Sequence, residues 1–361
     1  MAAWTGSTQE YSEDVGESFV GVLPDPPQSL SGGSRRYWRG STYGAVPSPV
    51  FVVYARWMRI GIIAQLHGRP GGVLEPSWES IRRLATAAER VGFDMFAFED
   101  VLMYRSGEAT EGCWESMTIA GALAASTSRI RFGQSVINAP YRSPAMTASM
   151  ATTLDEVSDG RYVLGIGAGN SPTSDYEGFG FPTDRRYARF AESIEVIHTL
   201  LRTGAVDYEG DFHFAKRAEL VLRGPSPTGP PINIAAKGPK MLRLVARYAD
   251  AWNWWAWDEP VDEIIGSTTG IVAELDRACV EVGRDSTEIE RTFDLYSVVP
   301  PGFTSDGSAM SRPVSGSAEE IAETLFRLRA LGIDEVRCDL TDKTEAGVEA
   351  MAPVVEALHN A

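Results

Sequence analysis

The stretch LDEVSDGRYVLGIGAG, residues 154–169, contains one complete unit of the pattern that repeats through most of this chain. Its first residues end a helix that we predict over residues 144–157. A short apolar run at residues 162–166 follows, and such a run is typical of a strand buried on both faces of a parallel sheet. The strand ends in closely spaced glycines, which allow backbone N–H groups to approach a ligand.

The same alternation of strand and helix continues on both sides of this unit. Seven further apolar runs of strand length lie at residues 59–64, 95–98, 130–137, 231–235, 251–255, 293–299 and 335–340. Each is followed by a helical stretch, and the helix that opens at Ser317 carries the capping box S-x-x-E. Eight such units predict an α/β fold, a (β/α)8 TIM-type barrel, with a doubly wound open sheet as the alternative.

Two segments interrupt this alternation. Residues 170–186 form a long loop after the fourth predicted strand, and residues 207–214 read as a small hairpin after the fourth helix, turning at Gly210 and Asp211. Long insertions at the C-terminal ends of barrel strands usually build the functional site or its lid. We therefore expect these insertions after strand 4 and helix 4 to shape a substrate pocket.

The N-terminal residues 1–57 differ from the rest of the chain. They are rich in Ser, Gly and Pro and show no sustained period of two or 3.6, whereas Met58 stands directly before the first strand pattern. We expect residues 58–361 to form the barrel and residues 1–57 to be a poorly ordered or mis-started extension. A regulatory tail is the alternative.

Charge and composition limit the classes of function. The formal net charge of −16 repels phosphate backbones and anionic membranes, which argues against nucleic-acid and membrane partners. The three cysteines form no C-x-x-C pair, and no stretch is apolar and long enough to cross a membrane or to act as a secretion signal. These features favour a cytoplasmic protein.

Glycines and lysines at two strand ends are candidates for ligand contact. Gly167, Ala168, Gly169 and Asn170 follow the fourth strand and do not form the dinucleotide fingerprint, since its third glycine would fall at Asn170. Tight packing at the barrel rim is the alternative.

Ala236, Lys237 and Gly238 lie between a strand and a helix that begins near a proline, where free N–H groups and a lysine suit a phosphate. Two solvated lysines near a helix start are the alternative there.

Other polar and aromatic residues lie at strand ends. Asn138 offers a donor and an acceptor at the end of the third strand, or braces the following loop. Alternate members of the run Trp252, Trp254, Trp255 and Trp257 must point to opposite faces, so some could wall a pocket while others pack under helices. None of the four histidines pairs with another at metal-ligand spacing, and no nucleophile elbow or Walker loop occurs. Glycine-lined strand ends without such groups suit cofactor chemistry.

Three stretches resemble the bacterial luciferase-like family of flavin- or deazaflavin-dependent oxidoreductases. They are residues 154–169, residues 179–192 with Arg186, Arg189 and Glu192, and residues 231–253 with the run PINIAA. The resemblance covers 58–361 and implies a (β/α)8 barrel with the cofactor ring in its mouth, usually in a homodimer. It also implies a non-prolyl cis peptide at Ser135-Val136, contact of Asn138 with the ring, and contacts of 167–170 and 236–238 with the cofactor's tail and phosphate.

The resemblance leaves two cofactors open. One branch uses the deazaflavin coenzyme F420 for hydride transfer to or from a small organic substrate, and the motifs at 135–144 and 235–240 look closer to it. The other branch uses reduced FMN and oxygen as a monooxygenase and implies a partner reductase. Members of both branches often carry a catalytic histidine after an acid at the end of the second strand, where this chain has Val101. Asp100 is therefore the candidate acid–base residue, with a salt-bridging role as the alternative.

Overall fold

The computed structural model describes residues 58–71, 76–106, 109–169, 174–256, 259–304 and 312–360. The extension predicted over residues 1–57 lies outside the described residues, so its boundary at Met58 stays a prediction.

The strands are β1 (Arg59–Ala64), β2 (His67–Gly68), β3 (Met95–Phe98), β4 (Met103–Ser106), β5 (Ala109–Cys113), β6 (Arg131–Gln134), β7 (Ile137–Asn138), β8 (Leu164–Gly167), β9 (Ala205–Glu209), β10 (Phe214–Glu219), β11 (Ile232–Ala235), β12 (Ala251–Ala256), β13 (Glu290–Val298) and β14 (Glu335–Leu340).

The helices follow the strands in the order that the sequence predicts. They are α1 (Trp78–Val91), α2 (Ser116–Ser126), α3 (Pro144–Ser158), α4 (Ser174–Phe179), α5 (Arg186–Thr203), α6 (Pro239–Tyr248), α7 (Val261–Val282), α8 (Ala318–Arg329), α9 (Glu345–Ala350) and α10 (Ala352–His359). Local caps set several bounds: Ser317 and Glu320 form the predicted capping box of α8. The predicted last helix is split into α9 and α10, because Pro353 favours the first turn of a new helix.

The main sheet closes into a barrel. Its strands pair in the order β6-β3-β1-β14-β13-β12-β11-β8-β7, and every pair in it is parallel. The predicted third strand is present as β6 and β7, separated at the cis peptide bond between Ser135 and Val136. A parallel bridge between Phe132 and Tyr162 joins the two ends of the sheet. The predicted barrel is thus confirmed, and the open doubly wound sheet was the wrong alternative.

The hydrophobic core has two parts. The larger cluster lies between the strands and the surrounding helices and includes Ile60, Phe96, Leu164 and Trp252. A small cluster of Ile63, Met95, Ala97 and Val163, with Tyr296 packed against it, forms separately. Since neighbouring residues of a strand point to opposite faces, the barrel strands are buried on both sides, which explains their continuous apolar runs.

A buried ionic network lies at the starts of β1, β6 and β14. Glu335 is fully buried and contacts Arg131, the Nε of Arg337 at 2.8 Å and the Nε of Arg59 at 3.4 Å. These three guanidinium groups outweigh the effect of burial and hold the pKa of Glu335 at about 2. The network therefore stands at the N-terminal face of the barrel, opposite the ends where functional sites of this fold are built.

Three local features differ from the sequence prediction. The loop predicted over residues 170–186 contains α4, and the described chain also has a three-stranded antiparallel sheet, β2-β5-β4, that was not predicted. The predicted hairpin is confirmed as β9 and β10, with Gly210 N donating to His213 O at 2.9 Å, but it continues to Glu219. The small sheet was missed because β2 is two residues long and has no sequence period of its own.

Candidate active site

A cavity of about 970 Å³ opens at the C-terminal ends of the barrel strands. Most of the predicted site residues line it: Asp100, Ser135, Val136, Asn138, Gly167, Ala168, Gly169, Ala236 and Lys237. Gly238 is not among the lining residues, and Asn170 lies outside the described residues. Residues that are far apart in sequence are thus brought to one cavity by barrel closure.

Small residues shape one wall of this cavity. A Cβ on Gly167 would lie 3.0 Å from Cγ2 of Val136 and 3.9 Å from Cβ of Ala235, whereas a Cβ on Gly165 would lie 1.9 Å from the backbone oxygen of Gln134. Gly165 therefore serves strand packing, and Gly167 leaves space beside the cis bond. Tight packing is thus the role of Gly165, whereas Gly167 borders the cavity and its contact with a ligand stays a prediction.

Ser135 is joined to a buried acid in the barrel interior. Its hydroxyl donates to Oδ2 of Asp294 at 2.7 Å, Nδ2 of Asn253 donates to the same oxygen at 2.9 Å, and Arg337 donates to Oγ of Ser135 at 3.2 Å. Burial raises the pKa of Asp294, although Arg337 and the two hydrogen bonds oppose that rise. These contacts hold the backbone at the cis bond in place from inside the barrel.

Asp100 is held in an ion pair beneath the rim. Its carboxylate accepts from Arg142 at 2.8 and 2.9 Å, from the hydroxyl of Ser116 at 2.7 Å and from the backbone N–H of Asn138 at 2.9 Å. The residue is 2% exposed. This geometry favours the salt-bridging alternative, since both carboxylate oxygens already accept hydrogen bonds from the protein.

Asn138 is braced by the protein on both sides of its amide. Its Nδ2 donates to the backbone oxygen of Asp100, and its Oδ1 accepts from the hydroxyl of Tyr176 at 3.3 Å. Tyr176 belongs to α4, so the insertion after strand 4 reaches the cavity through this contact. An amide NH₂ has two donors, and the hydrogen bond to Asp100 uses one of them.

The start of α6 gathers donors near the cavity. Gly238 is the N-cap and offers no side chain to its free N–H groups, and Pro239 occupies the first turn. The ammonium of Lys237 lies 4.5 and 4.2 Å from the ring centres of Trp254 and Trp255, and burial lowers its pKa. Lys240, in contrast, is exposed and does not line the cavity.

The tryptophan run divides as alternation requires. Trp255 lines the cavity, while Trp252 is fully buried and donates from its ring to the backbone oxygen of Ala236 at 2.9 Å. Trp254 is buried and donates to Thr268 at 3.0 Å. Trp257 lies outside the described residues. The expectation that some members wall a pocket while others pack under helices is confirmed.

The motif residues after α4 support the two insertions. Arg186 donates to the backbone oxygen of Gly169 at 2.9 Å, which holds the glycine loop. Glu192 accepts from the backbone N–H groups of Asp211, Phe212 and His213, each at 2.9 Å, and so closes the hairpin turn. These contacts give the insertions a structural basis that the sequence motif alone did not show.

A histidine and a glutamate at the rim were missed by the sequence reasoning. Nδ1 of His67 lies 2.7 Å from Oε1 of Glu99, and the hydroxyl of Tyr104 donates to Oε2 of Glu99 at 2.7 Å. All three residues line the cavity. A signal was present: His67 and Glu99 follow the ends of neighbouring parallel strands, β1 and β3, and such ends meet at one edge of a sheet.

Two absences apply to the described residues alone. No cluster of three or more His, Cys, Asp or Glu side chains is arranged there to hold a metal ion. No helix within the same ranges is long and apolar enough to span a membrane.

Comparison with known proteins gives the family and the fold. Residues 58–299 match the model of luciferase-like monooxygenases. The chain is 35% identical over 174 residues to F420-dependent glucose-6-phosphate dehydrogenase of Nakamurella multipartita, covering 47% of this chain and 50% of that protein. It is 39% identical over 163 residues to 4-hydroxyprotoasukamycin monooxygenase of Streptomyces nodosus subsp. asukaensis, covering 44% of this chain and 43% of that protein.

The matched stretches thus span half or less of these two curated relatives. Among solved structures, an F420-dependent secondary alcohol dehydrogenase in complex with an F420-acetone adduct aligns with a TM-score of 0.70 at 18% identity, covering 83% of this chain and 99% of that chain. This likeness shows the fold. Because the family model covers most of the barrel, the chain belongs to the luciferase-like monooxygenase family.

Proposed function

We propose that this protein is an oxidoreductase that binds the deazaflavin coenzyme F420 in the barrel cavity and transfers a hydride to or from a small organic substrate. The observation that carries the proposal is that the residues at 135, 136, 138, 167–169 and 236–237 line one cavity. The similarity to an F420-dependent dehydrogenase supports the choice of cofactor.

The cavity fits such a cofactor in size and in chemistry. Its volume of about 970 Å³ lies at the upper end of the range for ligand pockets, roughly 300–1,000 Å³. The missing side chain of Gly167 leaves room for a flat ring beside Val136, and Asn138 retains one amide hydrogen for its polar edge. When bound, a deazaflavin would supply the hydride chemistry that no side chain provides.

The anionic part of the cofactor fits the start of α6. Free N–H groups at a helix N-terminus favour negative charge, and Lys237 adds an ammonium next to them. A basic group is informative here because the chain as a whole carries a net charge of −16. We therefore assign the phosphate of the cofactor to Ala236, Lys237 and Gly238.

Asp100 acts as a positioning residue in this proposal. Its ion pair with Arg142 and its hydrogen bond from the backbone of Asn138 hold the third strand end against the second. The catalytic role predicted for Asp100 would require its carboxylate to leave these partners.

A monooxygenase that uses reduced FMN and a partner reductase is the second candidate, supported by the 39% identity to 4-hydroxyprotoasukamycin monooxygenase. Fluorescence titrations of the purified protein with oxidised F420 and with FMN separate the two. We expect tight binding of F420 and negligible binding of FMN. The reverse result would replace the first candidate by the second, and binding of neither would refute both.

Variants locate the phosphate. Lys237→Ala should weaken F420 binding about 10- to 100-fold, since a hydrogen bond to a charged group contributes about 1.5–3 kcal/mol. Gly238→Val should weaken it as well, and an added Cβ at this position meets no described atom within 4 Å. Lys240→Ala is the matched control and should stay within about twofold of the parent affinity. Unchanged affinity in both test variants would place the phosphate elsewhere.

The predicted homodimer is tested separately by light scattering.

A further inference from the structure

Among the described residues that line the cavity, His67 is the only imidazole. Its Nδ1 faces Oε1 of Glu99 at 2.7 Å, so the carboxylate holds the proton on that nitrogen. Nε2 is then the nitrogen that gains or loses a proton. Oε2 of Glu111 lies 4.0 Å from Nε2, which is beyond hydrogen-bond distance.

The imidazole stands on a strand of the small antiparallel sheet. His67 belongs to β2 and is paired with Cys113 of β5, and the backbone N–H groups of Leu66 and His67 both donate to Oε1 of Glu99, at 2.7 and 3.1 Å. The ring of Tyr104 stands edge-on at 4.8 Å. Such second contacts fix the position and tautomer of an imidazole before a substrate arrives.

The charges around His67 favour its protonated form. Burial of the ring pushes its pKa down, but the hydrogen bond and charge of Glu99 and the charge of Glu111 outweigh this, so the pKa is raised above 6.5. Lys343 opposes the rise, but it is ion-paired with Asp339 at 2.5 Å. The imidazolium is the form that can donate a proton, so the direction of this shift favours a proton donor.

We propose that His67 is the catalytic acid of this site and that the substrate is an uncharged carbonyl compound. In the reaction, the carbonyl carbon takes a hydride from the reduced cofactor, and the carbonyl oxygen takes the proton from Nε2 of His67. The C=O double bond becomes a C–O single bond with new C–H and O–H bonds. The two electrons of the hydride would come from the reduced cofactor, and the imidazole regains its proton from water. This inference rests on the proposed function.

The surroundings of His67 also select the substrate. The carboxylates of Glu99 and Glu111 lie next to the imidazole, and a carbonyl compound that carries a carboxylate would be repelled by them. Glu99 is a positioning residue, because it acts through the imidazole. Val101 stands where the family resemblance places a histidine, and His67 reaches the cavity from β2, which follows the neighbouring strand β1.

The first test uses the cofactor-free protein, so it does not depend on F420 binding. A pH titration of the imidazole nitrogens by NMR should give a pKa above 6.5 for His67, and Glu99→Gln should lower it. The pKa of His198, on α5 against Tyr248, should not change in that variant. If the pKa of His67 is not raised, or does not fall in Glu99→Gln, then Glu99 does not hold the proton on His67 and the inference is refuted.

The second test follows single turnovers without oxygen. Protein loaded with reduced F420 is mixed with a panel of uncharged aldehydes and ketones of three to eight carbons, and with pyruvate as the anionic comparison. We expect oxidation of the cofactor by members of the uncharged panel and little by pyruvate. His67→Gln should slow this step at least about 100-fold with F420 affinity unchanged, since general acids contribute 10²–10⁴-fold.

Control variants and pH complete this test. The rate in the parent protein should fall as pH rises through the pKa measured for His67, and this dependence should be lost in His67→Gln. His198→Gln should keep the parental rate. A parental rate in His67→Gln, or no oxidation by any uncharged member, would refute the inference. Failure of F420 to bind would refute the proposed function instead, and the NMR titration would still decide the role of Glu99.

Discussion

Replacing Gly165 by alanine should disrupt the barrel, whereas the same change at Gly167 should alter only the cavity. A Cβ on Gly165 would lie 1.9 Å from the backbone oxygen of Gln134, and contacts of a real Cβ atom are essentially never shorter than 3.0 Å. The two strands would have to separate by about 1 Å. Because both atoms in the overlap are held by backbone, no side-chain rotation relieves it.

The expected cost follows from that geometry. Overpacking a well-packed interior costs about 1–3 kcal/mol. The shift would also weaken pairing of β8 with β11, where Gly165 is in register with Asn233, and each lost hydrogen bond adds about 1 kcal/mol. We therefore expect Gly165→Ala to lower the free energy of unfolding by about 3–5 kcal/mol, a large share of the roughly 5–15 kcal/mol typical of a domain.

Gly167→Ala is the matched comparison. Its Cβ would meet a methyl group of Val136 at 3.0 Å, which can give way by a few tenths of an ångström. The free energy of unfolding should then change by less than about 1 kcal/mol. If a cofactor ring lies against this wall, as we propose, its affinity should fall about tenfold, which corresponds to about 1.4 kcal/mol.

Urea unfolding followed by circular dichroism measures the first quantity, and F420 titration measures the second. If the free energy of unfolding of Gly165→Ala lies within about 1 kcal/mol of that of the parent protein, the packing argument is refuted. If Gly167→Ala were as destabilising as Gly165→Ala, both glycines would serve packing and the motif would carry no information on a ligand.

Two further predictions concern glutamates. Glu335→Gln should lower the free energy of unfolding at pH 7 by about 3–5 kcal/mol, because the buried guanidinium of Arg337 and the half-buried ones of Arg59 and Arg131 lose this partner. The pKa of Glu335 is depressed from 4.5 to about 2 in the folded state, so this stabilisation is present above about pH 4.5 and is lost as pH falls towards 2. Urea melts at several pH values should show this loss in the parent protein and not in Glu335→Gln. A variant as stable as the parent protein at pH 7 would contradict the argument. Glu192→Gln should weaken the three backbone hydrogen bonds of the hairpin turn and speed amide exchange at residues 211–213, with little change in overall stability. Unchanged exchange there would show that the turn does not depend on this carboxylate.

Much of the fold could be predicted because its signals are local. The apolar run at 59–64, the capping box at Ser317 and the turn at Gly210 each report the conformation of a few neighbouring residues. Their regular succession predicts the barrel, since parallel strands joined by helices have few ways to pack. The two-residue strand β2 and the short helix α4 escaped because elements of that length carry no period.

In the candidate site, too, local features could be predicted from the sequence, whereas long-range contacts could not. Strand-end residues such as Ser135, Gly167 and Lys237 could be placed at one mouth, because a parallel barrel gathers all its strand ends there. Their contacts could not be predicted. That Arg142 engages both oxygens of Asp100 depends on how the second and third strand ends meet, 42 residues apart in sequence.

The sequence by itself determined the order of the elements, the barrel class, the family resemblance and the end of the barrel that holds the cavity. The tertiary structure alone decided which glycine packs and which borders the cavity, and that His67 meets Glu99 at 2.7 Å. The physical reason is that secondary structure follows from interactions between near neighbours in the chain. Contacts across strands depend instead on the register and closure of the whole sheet, which no short stretch of sequence specifies.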